Sequence, residues 1–251
     1  MTGRGTLMDQ KMVVGILGGM GPEATVDLFA KIVRSTPVLK DQDHLRIVID
    51  NNPRIPDRQR AILENGPSPA PMLIETAKNL VAAGADFIVM PCNTAHYWID
   101  EIRKAVTIPV VDMIEETAKE IVRSHPSMKT VGIMAASGTV RSGLYQRRLR
   151  DVAIKAISPT DEDQAKLMQA IYLVKGGDLS KSSATTIEIG QRLATAGAEG
   201  IIAGCTEVPL ILKNGDLSVP IVDATQVLAT RTVEIAQGTR VLQGPERFVS
   251  A

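Results

Sequence analysis

Aromatic residues are scarce. Three Phe, three Tyr and one Trp, 3% of 251 residues, leave few flat faces on which bases or sugar rings could stack. Neither sign of charge is in excess, because 28 Lys and Arg balance 28 Asp and Glu. A chain without a net field has little to draw in a polyanion, so no nucleic-acid partner is expected. No apolar run reaches the roughly 18 residues that span a bilayer, and residues 1–11 lack the apolar stretch of a secretion signal. These absences predict a cytoplasmic protein with no membrane partner. Cysteine is limited to Cys92 and Cys205, too few for a disulfide framework. What is abundant is Ala, Val, Ile and Leu within a hydrophobic fraction of 44%, a mix suited to parallel strands covered by helices.

Residues 1–11 are polar and aperiodic and are expected to form a disordered leader. Short apolar runs predict strands at 12–17, 45–50, 86–90 and 108–112. Helices are expected at 22–35, 71–83 and 95–106, with a polar turn over 51–58. Pro22 suits the first turn of its helix, whose buried face is expected to carry Val26, Phe29, Ile32 and Val33. Strands alternating with helices of this length indicate a doubly wound, parallel α/β fold.

The pattern then repeats. Val14-Gly15-Ile16 is matched by Val131-Gly132-Ile133 at an offset of 117, and Gly84-Ala85-Asp86 by Gly197-Ala198-Glu199 at 113. Ile108-Pro109-Val110-Val111-Asp112 is matched by Val219-Pro220-Ile221-Val222-Asp223 at 111. Three pairs in one order at nearly one offset predict a tandem duplication, hence two similar α/β lobes related by a pseudo-twofold axis. The lobes are expected at 12–112 plus 224–251 and at 113–223. The chain must return after its second Ile-Val-Asp strand to cover the first sheet.

Within the duplication the two cysteines are equivalent. Cys92 follows the strand ending near Met90, and Cys205 follows the strand ending at Ala203. Ligands of open parallel sheets bind at the carboxyl ends of strands. Two lobes facing each other would therefore set the two thiols on opposite walls of an interlobe cleft. One thiol on each side of a small ligand is what a two-base proton transfer at a stereocentre needs. The hydrogen-bonding neighbours Asn93, Thr94 and Thr206 can orient the thiols, and a nearby helix start can favour the thiolate.

At these residues the chain resembles the aspartate/glutamate racemase family, from Met12 to about Gln237. The resemblance is carried by Gly18-Gly19-Met20-Gly21-Pro22 with Ala24-Thr25 and by Asn51-Asn52-Pro53-Arg54-Ile55-Pro56-Asp57-Arg58. Pro91-Cys92-Asn93-Thr94-Ala95-His96 and Gly204-Cys205-Thr206-Glu207 complete it. It implies racemisation of aspartate or glutamate without pyridoxal phosphate or any other cofactor, with no metal, in a homodimer. It also implies that Cys205 acts on the L-enantiomer and Cys92 on the D-enantiomer. Relatives with threonine at the first position are nearly one-directional, so the retained pair implies reversibility. For the substrate it implies Met20, Asn52, Asn93, Thr94, Thr139 and Thr206 as binding residues. Arg54 is matched to the distal carboxylate and Lys166 to a second cationic position. Glu207 either orients a thiol or caps a helix, and His96 is a further orienting candidate.

Three other readings compete. Gly19-Met20-Gly21-Pro22-Glu23-Ala24 after a strand, with Asp50 ending the next, fits an NAD-dependent Rossmann oxidoreductase. Pro22 removes an amide that a pyrophosphate would use, and the matched cysteines stay unexplained. Cys92, His96 and Cys205 could supply three zinc ligands, but no Cys-x-x-Cys pair is present. A two-lobed amino-acid-binding protein without catalysis would not need thiols on both walls.

Overall fold

The computed structural model describes residues 11–178 and 182–241. The expected leader, apart from Lys11, lies outside the described residues. Among the described residues seven strands form two sheets, and every pairing is parallel. The first sheet holds β1 (Val14–Gly18), β2 (Ile47–Asn51) and β3 (Phe87–Val89) in the order β2-β1-β3. The second holds β4 (Thr130–Met134), β5 (Lys155–Ile157), β6 (Gly200–Ala203) and β7 (Ile221–Asp223) in the order β5-β4-β6-β7. The two orders correspond strand for strand, as the sequence repeat anticipates. The expected strand at 108–112 shrinks to one bridge, Ile88 to Val110, flanked by the Ile88-to-Pro109 and Val111-to-Ile88 backbone bonds at 2.9 Å each.

The helix Pro22–Ser35 forms where the sequence places it, but a different face is buried. Ala24, Thr25, Leu28 and Ile32 face the core, while Val26, Phe29 and Val33 are 59%, 40% and 37% exposed. The small Ala24 and Thr25 fit a face pressed close to the sheet and to the helix Ala224–Ala236. The expected polar turn at 51–58 ends instead in a helix, Arg58–Leu63, because the Asp57 carboxylate accepts from the amides of Gln59 and Arg60 at 2.6 and 3.1 Å. The segment 95–106 begins as a 3₁₀ turn, Thr94–Trp98, before the α-helix Ile99–Ala105.

Two helices link the sheets. Met113–Ser124 buries Ile114, Ala118 and Ile121 with Val131 and Ile133 of the second sheet. Ala224–Ala236 buries Leu228, Ala229 and Val233 with Val14 and Ile16 of the first. The two helices also pack on each other through Arg231, whose side chain is 4% exposed. Its Nη1 lies 2.5 Å from Glu234 and its Nη2 pairs with Glu120. Nε approaches Glu116 Oε2 at 3.4 Å, a charge contact without hydrogen-bond geometry.

Removing the guanidinium leaves Glu116 and Glu120 without their shared counter-charge. With Arg240 still 2.9 Å from Glu116 and Arg123 2.7 Å from Glu120, Arg231→Ala should cost about 1–3 kcal/mol of stability in urea denaturation. Burial pushes the Glu120 carboxyl up, but bonds from Ser124 and Arg123 and the charge of Arg231 hold it below the usual range. Its contribution is therefore full above the ordinary carboxylate pKa and lost as pH falls through the depressed value. Arg231→Ala should flatten that acid limb. A wild-type-like urea midpoint would overturn the assignment.

Candidate active site

Each cysteine sits in a short loop at the end of its strand, held from behind. The Cys92 amide donates to Met90 O at 2.9 Å. The Cys92 carbonyl lies 2.8 Å from His96 Nδ1, and His96 Nε2 accepts from the Met113 amide at 3.0 Å. An Nε2 that accepts leaves Nδ1 as the donor, which fixes the tautomer. Burial lowers the imidazole pKa despite the pull of Asp112, so the ring stays neutral and holds the Cys92 backbone. Thr94 Oγ1 accepts from Gln59 Nε2 at 3.0 Å and lies 2.8 Å from Thr139 Oγ1. Gln59 Oε1 in turn accepts from the Gly138 amide at 2.5 Å, so one side chain ties the helix Arg58–Leu63 to the short helix Ser137–Arg141 after β4.

The Cys205 loop carries the charge. Cys205 Sγ donates to Glu207 Oε2 at 2.9 Å, and Thr206 Oγ1 donates to the same oxygen at 3.2 Å. Lys175 Nζ stands 3.7 Å from Glu207 Oε1. Burial, reinforced by the Glu207 charge, pushes the Cys205 thiol well above the usual thiol range, against the pull of Lys175. Burial alone would depress the Lys175 ammonium, but Glu207, Cys205 and Cys92 raise it above its ordinary value. In the resting site Cys205 is a thiol bonded to a carboxylate, beside a charged lysine.

Both cysteines line one narrow pocket that opens to solvent. Met20, Asn93, Thr94 and Thr206 line it with them, as do Glu207 and two cations, Arg58 and Lys175. Asn52 and Thr139 lie behind this lining: Asn52 accepts from the Arg54 amide at 3.1 Å, and Thr139 supports Thr94. His96 stands behind Cys92. Glu207 accepts the hydrogen bond of the Cys205 thiol and makes no side-chain cap.

Arg54 and Lys166 do not reach the pocket. Arg54 is exposed in the turn before the helix Arg58–Leu63. Four residues further on, at the start of that helix, Arg58 lies against the carbonyls of Ile55, Pro56 and Met20 at 3.1, 3.0 and 3.4 Å, and among the described residues it pairs with no carboxylate. Lys166 sits on the outer face of the helix Asp161–Lys175, paired with Glu162 at 2.7 Å. Lys175 lies about two and a half turns on, which is the opposite face. It continues the pocket-lining stripe of Met168, Ile171 and Tyr172. That i, i+3, i+4, i+7 spacing is the sequence signal that identifies it.

The glycine turn after β1 is closed by bonds within the fold. The Gly19 amide donates internally to Thr25 Oγ1 at 2.9 Å, and Asp50 accepts from Asn79 at 3.1 Å. Gly19 has φ +95°, and a Cβ there would lie 2.3 Å from the Asn52 carbonyl carbon, so only glycine closes this turn. Among the described residues no three His, Cys, Asp or Glu side chains are grouped to hold a metal ion.

Residues 17–232 match the Asp/Glu/hydantoin racemase family. Over 225 residues, 88% of this chain and 96% of the relative, the sequence is 30% identical to the broad specificity amino-acid racemase RacX of Bacillus subtilis. The aspartate racemase of Picrophilus torridus superposes with a TM-score of 0.81 at 36% identity, covering 90% of this chain and 94% of that one. A putative Asp/Glu racemase from Yersinia pestis superposes at 0.75 with 27% identity, covering 90% and 99%. A doubled parallel α/β fold, a shared pocket with one cysteine from each half, and a match over most of its length place this chain in the Asp/Glu/hydantoin racemase family.

Proposed function

We propose that the protein racemises an acidic amino acid, aspartate first and glutamate second, by a two-base mechanism without a cofactor. The observation that carries this reading is the convergence of Cys92 and Cys205 on a pocket that also holds Arg58 and Lys175. Arg58 is poised for the distal carboxylate, since an arginine held only by carbonyls keeps its charge for a ligand. For an L-substrate, Cys205 releases its proton to solvent by way of Glu207 Oε2, and the thiolate removes the α-proton. Cys92 then delivers its proton to the opposite face. The cycle leaves Cys205 as thiol and Cys92 as thiolate, the state that works on the D-enantiomer.

The lobes are assigned as 12–112 plus 224–251 and 113–223, with residues 179–181 and 242–251 outside those described. The helix packing across the sheets supports that division. A second reading, a broader substrate range, is favoured by the apolar wall of Met168, Ile171 and Tyr172, and by the name of the Bacillus relative. Comparable turnover of leucine and aspartate would establish it in place of the first.

The free thiols support a reducing, cytoplasmic setting. The exposed Val26, Phe29 and Val33 support a homodimer. Phe29→Glu should convert the dimer to monomer in sedimentation analysis, and a wild-type protein that sediments as a monomer would remove the dimer assignment.

Arg58→Ala should raise KM for the acidic substrate at least about tenfold, whereas Arg54→Ala and Lys166→Ala should stay within about twofold. Steady-state kinetics on the three variants decide it; a silent Arg58→Ala would defeat the carboxylate role.

Cys92→Ser and Cys205→Ser should each abolish racemisation, because serine's far higher pKa leaves no base on its face. In D₂O the product enantiomer should gain solvent deuterium early while recovered substrate gains little. With L-substrate the rate should climb into alkaline pH, since Cys205 must ionise from a raised pKa. Equal early labelling of both enantiomers would refute the two-base assignment.

A further inference from the structure

Between the two cysteine loops lies a tyrosine that no sequence pattern singles out. Tyr145, in the helix Leu144–Asp151, is fully buried. Its Oη donates to Asn93 Oδ1 at 2.5 Å. Its ring fills the space beside Gly204, where a Cβ would lie 2.9 Å from Tyr145 Cε2. One side chain thus touches the residue after Cys92 and the residue before Cys205. Burial pushes the phenol far above its ordinary range, so the hydroxyl keeps its proton and remains a donor.

A donor at Oδ1 fixes which way the Asn93 amide points. A carboxamide has one acceptor end and one donor end, and here the acceptor end is taken. The donor end, Nδ2, is buried and has no partner among the described residues, although Asn93 lines the pocket. Buried amide hydrogens without a partner are costly, and a ligand acceptor would satisfy them.

We propose that Tyr145 is a positioning residue for the reaction: it holds the Asn93 amide with its NH₂ turned to the pocket, as donor to the substrate's α-carboxylate. This rests on the racemase reading above. When a thiolate takes the α-proton, the C–H electron pair spreads into the α-carboxylate, and the opposite thiol's proton later restores the C–H bond. Negative charge therefore grows on the carboxylate oxygens, so a donor there binds the transition state more strongly than the ground state. Asn93 follows Cys92 directly, and a substrate Cα at Cys92 Sγ places its carboxylate one bond away. The carboxylate stays put while the proton changes face, so the donor serves both directions.

The test is Tyr145→Phe, which keeps the ring against Gly204 and removes only the hydroxyl. Its kcat should fall about tenfold in both the L-to-D and D-to-L directions, with KM within about threefold. Asn93→Ala should lose more, and the double variant should be no slower than Asn93→Ala alone, because Tyr145 acts through Asn93. Multiplying losses in the double variant, or an unchanged kcat in Tyr145→Phe, would overturn the proposal. Asn93→Asp covers the case in which Tyr145→Phe does not fold. It has nearly the same shape and still accepts the Tyr145 bond, but offers the carboxylate no donor. Its kcat/KM should drop at least about 100-fold with Tm held, and activity near wild type would equally refute the proposal. Failure of the racemase reading shows elsewhere, in wild-type protein that exchanges no α-hydrogen in D₂O, and it would remove this assignment too.

Discussion

Two aspartates at equivalent places set the architecture. Asp112 accepts from the amides of Ile114 and Glu115 at 2.9 and 3.1 Å, and Asp223 accepts from those of Thr225 and Gln226 at 2.9 and 3.1 Å. Each carboxylate satisfies two orphan donors and starts a helix where an apolar segment ends. The helix capped by Asp112 covers the second sheet, and the one capped by Asp223 returns to the first. Had each helix folded back on its own sheet, nothing would oblige the two halves to face one another. Crossed, they pack together and turn the carboxyl ends of both sheets toward one pocket.

The pocket that results holds buried charge at a cost. Taking Glu207 out of water is repaid only in part by Lys175 at 3.7 Å, whose side chain is still 36% exposed. A pair in this position is therefore weak evidence for stability. Its consequence lies in the thiol: Glu207 holds the Cys205 proton at 2.9 Å, and Lys175 opposes the rise in its pKa. The charged groups of the pocket therefore gather at one sulfur. On the other side, a neutral His96 grips the Cys92 backbone, so that loop is fixed by geometry without a charged partner.

Much of this was legible in the sequence because duplication makes local signals corroborate one another. Cys92 and Cys205 each sit past a strand, and one internal repeat pairs them. Lys175 was legible in principle through its stripe with Met168, Ile171 and Tyr172, but a stripe shows only once the helix phase is known, and Lys166 belongs to the opposite face. Arg58 was masked by Arg54, because the Asp57 cap that begins a helix there looks like one more polar turn residue. Val26, Phe29 and Val33 misled for another reason. Their spacing fits a buried face, while the packed face uses the smaller Ala24 and Thr25 with Leu28 and Ile32. Apolar character alone does not tell a core from a face left for another surface.

The contacts that close the site were not legible at all. Gln59 meets Gly138 across 79 residues of sequence, and Tyr145 meets Asn93 across 52. Neither residue type is diagnostic, and neither lies in a motif. Their roles arise only when the two sheets are brought together, which is why no pattern within either half announces them. The same fact explains how a pocket can be built from two copies of one unit without being symmetric. The first half contributes Arg58, Gln59 and an amide donor, while the second contributes Glu207, Lys175 and the buried tyrosine. Duplication accounts for the paired thiols, and divergence around them accounts for the difference in charge between the two walls of the pocket.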